Sequence, residues 1–392
     1  MSDVVTERAV KQSEAGAARQ TLIRRIVGNR LFFALVCLVL VLLLSVIVQT
    51  IKTGSPGPFF QIIYTNGTLN GPLITILNRA SELVILALGM TVVVSCSSGV
   101  DISVGAVMAF SASFMVWLLG FGTLPTNDYH VKSYVVPLVV CILAGAAVGA
   151  LCGAWNGFLV AKLRIQPMVA TLILFTGARG AAKVVNSGQI TKVDVPSFRW
   201  FGGFLTNSSG NNIIPLPTPI FVAAVAVVVT ILVMRFTALG MNIQSVGINN
   251  KASRIVGLKS TRIILMAFVF CGVCAAVAGL IAASRIGGVD PQNNGKMIEL
   301  DAILAVALGG NSLAGGKFSL GGSVIGAVTI QALTTVLYAI NVTADQLPLY
   351  KAIVVIIIVV LQSPELRPML KRALDVFRRP LPTVALASGT GE

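Results

Sequence analysis

Few side chains in this sequence could perform acid–base or nucleophilic chemistry. A catalytic constellation such as Ser-His-Asp or Cys-His needs a histidine beside its nucleophile, and the chain contains a single one, His130. The closest pair of cysteines, Cys271 and Cys274, has no second pair or histidine cluster of the kind that binds zinc. These residues predict no catalytic centre, no metal site and no cofactor, so we do not expect the chain itself to be an enzyme.

The segment GGNSLAGGKFSL (309–320) is the nearest approach to a phosphate-binding loop. A Walker A loop has the spacing G-x-x-x-x-G-K-[ST]. Here Asn311 stands five residues before Gly316, and Phe318 follows Lys317, so both the spacing and the Mg²⁺-binding hydroxyl are missing. We expect the glycines instead to permit a tight turn, by positive φ or by close backbone approach. They are Gly309, Gly310, Gly315 and Gly316.

Polar residues inside long apolar runs form a second set of candidates. Burying such groups in a bilayer is costly, and they often mark a substrate path. Each could equally serve packing: Glu82 could pair with Arg79 one turn away, and Asp101 could cap the helix that follows it. The candidates for a substrate path are Asn78, Glu82, Asp101, Asn156, Arg179, Asp301 and Asn311.

Composition indicates the elements that position these residues. The 392 residues are 55% hydrophobic and 11% charged, whereas a soluble domain carries about 25% charged residues. The net charge of +15 does not indicate nucleic-acid binding, because the basic residues lie at the ends of apolar runs and in a few loops. Since one crossing needs ~20 apolar residues, we predict an all-α membrane protein of about ten transmembrane helices.

Ten apolar runs give the predicted spans. The eighth and the tenth are short and could be tilted or partly re-entrant. Together the runs form a transmembrane domain at 31–363, between an N-terminal tail at 1–30 and a C-terminal tail at 364–392. The runs are 31–51, 73–96, 102–121, 133–161, 167–186, 218–235, 262–283, 298–310, 320–340 and 348–363.

The distribution of Lys and Arg predicts the orientation. With the N-terminal tail inside, the inner segments carry about three times as many Lys and Arg as the outer loops, which is the positive-inside bias. Both tails are then cytoplasmic, the loop 187–217 faces outward and the loop 236–261 faces inward. We expect a multi-pass protein of the plasma (inner) membrane.

The inner loop 236–261 is long and basic. The stretch from Ala252 to Leu258 can form a short amphipathic helix, and Ala252, Ser253 and Gly257 keep one of its surfaces small. Such a helix could fit a groove on another protein. An ordinary solvated cytoplasmic loop is the alternative.

A weak internal similarity links residues 87–112 and 307–332. In each, an apolar helix ends in Leu-Gly, a Gly/Ser-rich turn follows, and a new helix opens with S-V-(I)-G-A-V. Transporters often carry internal repeats with broken helices near the substrate path. The alternative is that helices rich in Gly, Ala and Val look alike.

Four stretches together resemble the permease subunits of ABC-type monosaccharide importers, the ribose, arabinose, xylose and galactofuranose group. The resemblance extends from about residue 73 to 363, and ILNRA, IQPMVATLIL, TPIFVA and the late LQS look closest to the galactofuranose-type permease. The stretches are LNRASELVILALGMTVVVSCSSGVDISVGAVMA (77–109), GALCGAWNGFLVAKLRIQPMVATLILFTGARGAA (149–182), TALGMNIQSVGINNKASRIVGLKSTR (237–262) and ELDAILAVALGGNSLAGGKF (299–318).

The resemblance implies a second permease subunit in a homo- or heterodimer, two cytosolic ATPase domains and an extracytoplasmic sugar-binding protein. It also implies that 236–261 couples to the ATPase, because Lys251-Ala252-Ser253 followed by Gly257 looks like the E-A-A-x-x-x-G element of importer permeases, with Lys in place of Glu. The residues assigned to the coupling loop are Gly247, Asn249, Lys251, Ala252, Ser253, Arg254 and Gly257.

One departure from the family pattern concerns a turn. Where the family reads T-G-G-I-D-L-S-V-G, this chain reads S-S-G-V-D-I-S-V-G (97–105), so Ser98 stands at the first glycine and brings a Cβ to that turn. Two other functions stay open. One is an ABC permease for another cargo, such as a branched-chain amino acid or a signalling furanose. The other is an ion-coupled secondary transporter, for which Glu82 would be the buried acid.

Overall fold

The structure, a computed structural model, describes residues 30–65, 67–121, 129–206 and 212–362. The two predicted tails lie outside the described residues, apart from Arg30 at the start of the first helix. The described part contains fourteen helices and five short strands, which confirms the all-α prediction.

Ten of the helices coincide with the ten predicted spans. The other four are short helices between spans. In chain order the helices are α1 (Arg30–Thr53), α2 (Gly57–Phe60), α3 (Pro72–Ser97), α4 (Val104–Leu119), α5 (Leu138–Ala161), α6 (Pro167–Val185), α7 (Pro196–Arg199), α8 (Thr218–Phe236), α9 (Ala238–Ile248), α10 (Asn250–Ile255), α11 (Ser260–Ile286), α12 (Ile298–Leu308), α13 (Leu320–Ala339) and α14 (Leu347–Gln362).

The ten span helices differ in length. Seven of them, α1, α3, α5, α6, α8, α11 and α13, are long and apolar enough to cross a membrane. Of the other three, α4 and α14 have 16 residues each and α12 has 11. At 1.5 Å per residue α12 is about 16 Å long, about half of a ~30 Å hydrocarbon core. The predicted span 298–310 is therefore corrected to a half-length helix.

Helix α14 belongs to a separate structural unit. Among the described residues, those up to Thr343 form one unit, and those from Ala344 to Gln362 form another. The site described below lies entirely in the first unit.

Proline and left-handed residues set several helix ends. Pro72, Pro167 and Pro219 stand in the first turns of α3, α6 and α8, where a missing N–H costs nothing. At the other end, α3 stops at Ser98 and α11 at Gly287, both in the left-handed conformation.

Helices α3 and α11 form the centre of the bundle. Almost the whole of α3 is buried, and α11 packs against both α3 and α5. Where α5 and α11 cross, a Cβ built on Gly149, Gly153 or Gly272 would collide with the backbone of the facing helix. Close approach of this kind lets membrane helices gain packing contacts where the hydrophobic effect contributes little.

Two small sheets, one of two strands and one of three, lie at one end of the bundle, which we call the sheet end. Strand β1 (Ile63–Thr65) pairs with β2 (Thr68–Asn70), while β4 (Thr191–Val193) pairs with β3 (His130–Val131) and β5 (Gly288–Val289). Buried Val193 and Phe198 join a cluster with Leu119 at the end of α4. The described part of the predicted outer loop 187–217 is thus packed onto the bundle.

Candidate translocation and coupling sites

The chain re-enters the bundle after α3. Following Ser98 it turns back, and the Asp101 backbone N–H lies 3.4 Å from the Met90 Sδ. Because Met90 precedes the end of α3 by about two helical turns, α4 starts about 10 Å inside that end. Helix α4 then runs to the sheet end, where Leu119 joins the cluster.

Helix α12 begins beside the start of α4. Glu299 and the Gly295 carbonyl lie so close to Gly105 that a Cβ on Gly105 would collide with both. From there α12 runs to the opposite end of the bundle, where Gly316 meets the last turn of α3. The N-termini of α4 (16 residues) and α12 (11 residues), both shorter than a full crossing, therefore meet inside the bundle. We call this meeting point, residues 99–105 and 290–299, the half-helix junction.

Arg179 of α6 holds one side of this junction. Its guanidinium donates hydrogen bonds to the carbonyl oxygens of Asn294 at 2.5 Å and Gly295 at 3.3 Å. The side chains of Asn294 and Glu299 are buried, and Asn294 Nδ2 and Glu299 Oε2 have no hydrogen-bond partner among the described residues. Half-buried Asp301 lies in the same first turn of α12.

Asp101 and Asn156 form a buried network at the other side of the junction. Asp101 Oδ1 accepts from the Ser103 backbone N–H at 2.9 Å and from the Ser103 hydroxyl at 2.6 Å. Asn156 of α5 donates to Ser103 Oγ at 2.9 Å. Ser103 occupies the N-cap position of α4 without a side-chain capping bond, so Asp101 does not cap this helix as expected and bonds to the N-cap residue instead.

Asn78 and Glu82 lie in the sheet-end half of α3, away from the junction. The Glu82 carboxylate pairs with Arg285 of α11 at 2.7 Å, and Arg285 also donates to the Asn78 carbonyl oxygen at 2.7 Å. The pairing of Glu82 with Arg79 expected from the sequence is therefore wrong. Sequence periodicity shows neighbours on one helix, whereas Arg285 lies about 200 residues away from Glu82 in the chain.

Asn311 organises the turn between α12 and α13. Its side-chain oxygen accepts from the Ser319 backbone N–H at 2.6 Å, and its amide donates to Ser323 Oγ at 2.8 Å. Gly310, Gly315 and Gly316 take positive φ, while Gly309 closely approaches the backbone of α13. The prediction for the four glycines is confirmed.

The end of the bundle opposite the sheet carries α9 and α10, and we call it the α10 end. The Gly316 N–H donates to the Ser95 carbonyl oxygen at 3.0 Å. A Cβ on Gly247 of α9 would collide with the same carbonyl. The loop 236–261 is largely helical, because it contains α9 and α10. The contacts of Gly247 and Gly316 fix α9 to α3 and to the turn before α13.

Helix α10 projects from this anchored base. It spans Asn250–Ile255, an earlier start and end than the predicted 252–258, and the Asn249 side chain caps it by accepting from the Ala252 N–H at 3.0 Å. Ile255 and Val256 are 87% and 82% exposed. Lys251, Ala252 and Arg254 are also exposed, whereas Ser253 is buried.

An open cleft of ≈ 730 Å³ lies beside α10. It is bounded by α10, the end of α3 and the turn between α5 and α6. Three cations line it among the described residues: Arg164, Lys251 and Arg254. The cleft is therefore suited to an acidic partner.

Comparison with known proteins identifies the family. A family model described as branched-chain amino acid transport system / permease component matches residues 73–362. The galactofuranose transporter permease protein YtfT of Escherichia coli (strain K12) is 39% identical over 86% of this chain and 91% of its own. The fructose import permease protein FruF of Bifidobacterium longum (strain NCC 2705) is 34% identical over 90% and 93%. The ribose import permease protein RbsC of Escherichia coli (strain K12) is 32% identical over 82% and 91%.

The matched residues include every element of the two sites described above. Both the half-helix junction and the α10 end fall within 73–362, and the relatives match over most of their own length. This multi-pass membrane protein therefore belongs to the family of transport-system permease components.

Proposed function

We propose that this chain is the membrane-spanning subunit of an ATP-driven importer that moves a monosaccharide into the cell. Three relatives that each match more than four fifths of the chain are named for galactofuranose, fructose and ribose. A second permease subunit, two cytosolic ATPase domains and an extracytoplasmic sugar-binding protein complete the importer. ATP is hydrolysed on the partner chain.

The α10 end is the cytoplasmic end in this proposal. The exposed cations Lys251 and Arg254 lie there, as the positive-inside bias requires. Both tails are then cytoplasmic, and the sheet end with the described part of 187–217 faces the binding protein. The transmembrane domain comprises residues 31–363.

The exposed tip of α10 is the observation that carries the coupling role. Ile255 and Val256 form an apolar tip beside a cationic cleft, a combination that fits a groove with an acidic rim on the ATPase. Because α9 is fixed to Ser95 and to Gly316, a force on α10 reaches α3 and the turn before α13. The coupling residues Gly247 and Asn249 act within this base, by close packing and by capping.

The coupling role is tested by making the α10 tip polar. The variant carrying both Ile255→Ser and Val256→Ser is co-expressed with the ATPase and the binding protein. The amount of ATPase that co-purifies with it should be at least about tenfold lower than with the parental chain, because apolar anchors dominate such interfaces. Sugar uptake and ATPase stimulation by the binding protein should fall with it. Abundance in the membrane should stay normal.

The matched control carries Ile190→Ser and Ile213→Ser, which are 57% and 59% exposed in the part of the chain predicted to face outward. This variant should keep its ATPase. If the α10 variant binds the ATPase and transports at the parental rate, the coupling role is wrong. Gly257→Leu is a weaker test, since Gly257 has φ +92° and open space around it, so leucine would strain the backbone without filling a contact.

The two alternatives are separable by the same preparation. An ion-coupled transporter needs a titratable acid free to exchange its ion, whereas Glu82 is bound to Arg285. Uptake that persists without the ATPase but requires an ion gradient would favour that alternative. Uptake of branched-chain amino acids instead of sugars, with ATPase stimulation intact, would correct the cargo.

A further inference from the structure

The exposed side of the half-helix junction has a composition that lipid does not tolerate. Between β5 and α12 the chain runs as irregular backbone through residues 290–297, which we call the re-entrant segment. Gln292, Asn293 and Lys296 on this segment are exposed in the single chain. Irregular backbone at membrane depth occurs only where it is buried in protein or lines a water-filled cavity.

The depth of the segment follows from its contacts. Gly295 packs on Gly105 at the start of α4. On the next turn of α4, the Met108 carbonyl lies against Gly279 of α11, where a Cβ on Gly279 would collide with it. Gly279 is about 10 Å from the sheet-end terminus of α11. The re-entrant segment thus descends into the bundle before α12 begins.

The segment is held in one shape from both sides. Asp290 Oδ1 accepts from the Gln292 and Asn293 backbone N–H groups at 2.9 and 3.1 Å. Arg179 fixes the Asn294 and Gly295 carbonyl oxygens from α6. The Asn293 side-chain amide also donates to Asp290 Oδ2 at 2.8 Å, so this side chain is held in place, and the exposed Gln292 side chain precedes it in the segment.

The adjoining face of α6 is open. Thr176 and Gly177 are exposed, and a Cβ built on Gly177 or Gly180 would meet nothing within 4 Å. These residues lie on the same helix as Arg179, within one turn of it. A hydroxyl and two glycines leave room beside the re-entrant segment.

We propose that the exposed side of the re-entrant segment and the Thr176–Gly180 face of α6 form one wall of the polar path, inside the membrane, along which the cargo moves. The proposal rests on the transport function proposed above and locates the path of the cargo within the membrane domain. Gln292 and Asn293 supply hydrogen bonds to a polyhydroxylated cargo, as amide side chains do for hydroxyl groups. Arg179 is the positioning residue that holds the segment.

Accessibility to a water-soluble reagent tests the proposal without requiring transport. All six native cysteines lie within the described residues and are buried, so single cysteines can be introduced at Asn293 and Lys296 in the full complex. A membrane-impermeant methanethiosulfonate should label both, because a thiol in water forms the reactive thiolate. Leu151→Cys on α5 is the control, since Leu151 is an apolar residue, 70% exposed, in the middle of a long span.

Labelling at Asn293→Cys and Lys296→Cys should be at least about tenfold faster than at Leu151→Cys, where lipid suppresses thiolate formation. Asn293→Trp should reduce uptake at least about tenfold while the ATPase still co-purifies, because the indole would obstruct the path. Equal labelling rates at all three cysteines, or full uptake by Asn293→Trp, would overturn the path. If the parental chain binds no ATPase but the cysteines are labelled as expected, the proposed function is wrong, whereas the water-accessible path inside the membrane is still supported.

Discussion

Two polar turns in this protein use the same local chemistry in different surroundings. In the turn before α4 (98–103), Asp101 accepts from the Ser103 backbone N–H at 2.9 Å. In the turn before α13 (309–319), Asn311 accepts from the Ser319 backbone N–H at 2.6 Å. In each turn, the oxygen of a short side chain therefore accepts a hydrogen bond from the backbone N–H of the serine that precedes a helix.

The surroundings of the two turns explain their different composition. The first turn begins at exposed Ser98 and enters the bundle, where Asp101 and Ser103 are both buried and Asn156 bonds to Ser103. The second lies at the α10 end, where Ser312 and Ala314 are exposed. The depth of a turn in the membrane decides how many of its polar groups must be hydrogen-bonded by side chains. We therefore expect substitutions in the first turn to lower the free energy of unfolding more than substitutions in the second.

Asp101→Ala is the largest test of that difference. It removes the buried acceptor of two Ser103 groups, and we expect the free energy of unfolding in detergent to fall by about 3–4 kcal/mol. Asn311→Ala should cost about 1–2 kcal/mol, because Asn311, although also buried, is uncharged and lies beside exposed residues at the α10 end. Denaturant titration of both variants measures the two losses. Equal losses would show that depth does not govern these turns.

Gly315→Val examines the backbone of the second turn. Gly315 has φ +89° and lies against Ser98 Oγ, so valine there should cost about 2–3 kcal/mol in unfolding free energy from backbone strain. The control is Ala314→Val, an exposed neighbour in the same turn, which should change the apparent Tm little. A control as damaging as Gly315→Val would mean that the left-handed conformation is incidental.

Ser98→Gly is the smallest test and acts on the first turn. Ser98 adopts φ +54°, a conformation that L-residues occupy at a cost, so glycine should raise the free energy of unfolding by about 0.5 kcal/mol. Ser97→Gly, one residue earlier and still helical, should lower it slightly, since glycine weakens a helix. A fall in apparent Tm for Ser98→Gly would show that the weak contact from Ser98 Oγ to the Gly247 carbonyl outweighs the strain.

Much of the fold could be predicted from residue order because lipid imposes a simple rule. A run of about 20 apolar residues forms a helix long enough to cross a bilayer, and helices occur at all ten predicted spans. The glycine-rich turn could also be predicted from the sequence. Gly310, Gly315 and Gly316 have positive φ, a conformation that glycine adopts more easily than other residues.

The candidate sites were only partly predictable. Of the seven polar residues selected from the sequence, five lie inside predicted spans and two, Asp101 and Asn311, lie in the turns beside them. The structure separates them into the Asn78–Glu82 group with Arg285, the half-helix junction and the Asn311 turn. It also adds to the junction Gly105 and Glu299, from the predicted spans 102–121 and 298–310, and Gly295, from the connection before the latter span. The helix predicted at 252–258 exists at Asn250–Ile255. Ile255 and Val256 lie within the predicted range, but neither was among the residues assigned to the coupling loop.

The sequence by itself determined that this is a membrane protein, where its helices lie and which turn needs glycine. These properties depend on residue types and on neighbours along the chain. Tertiary structure alone decided that Arg285 pairs with Glu82 and that the starts of α4 and α12 meet. Each of these joins segments far apart in sequence. A hydropathy profile records how much apolar chain there is, whereas the depth at which a helix starts depends on the helices packed against it.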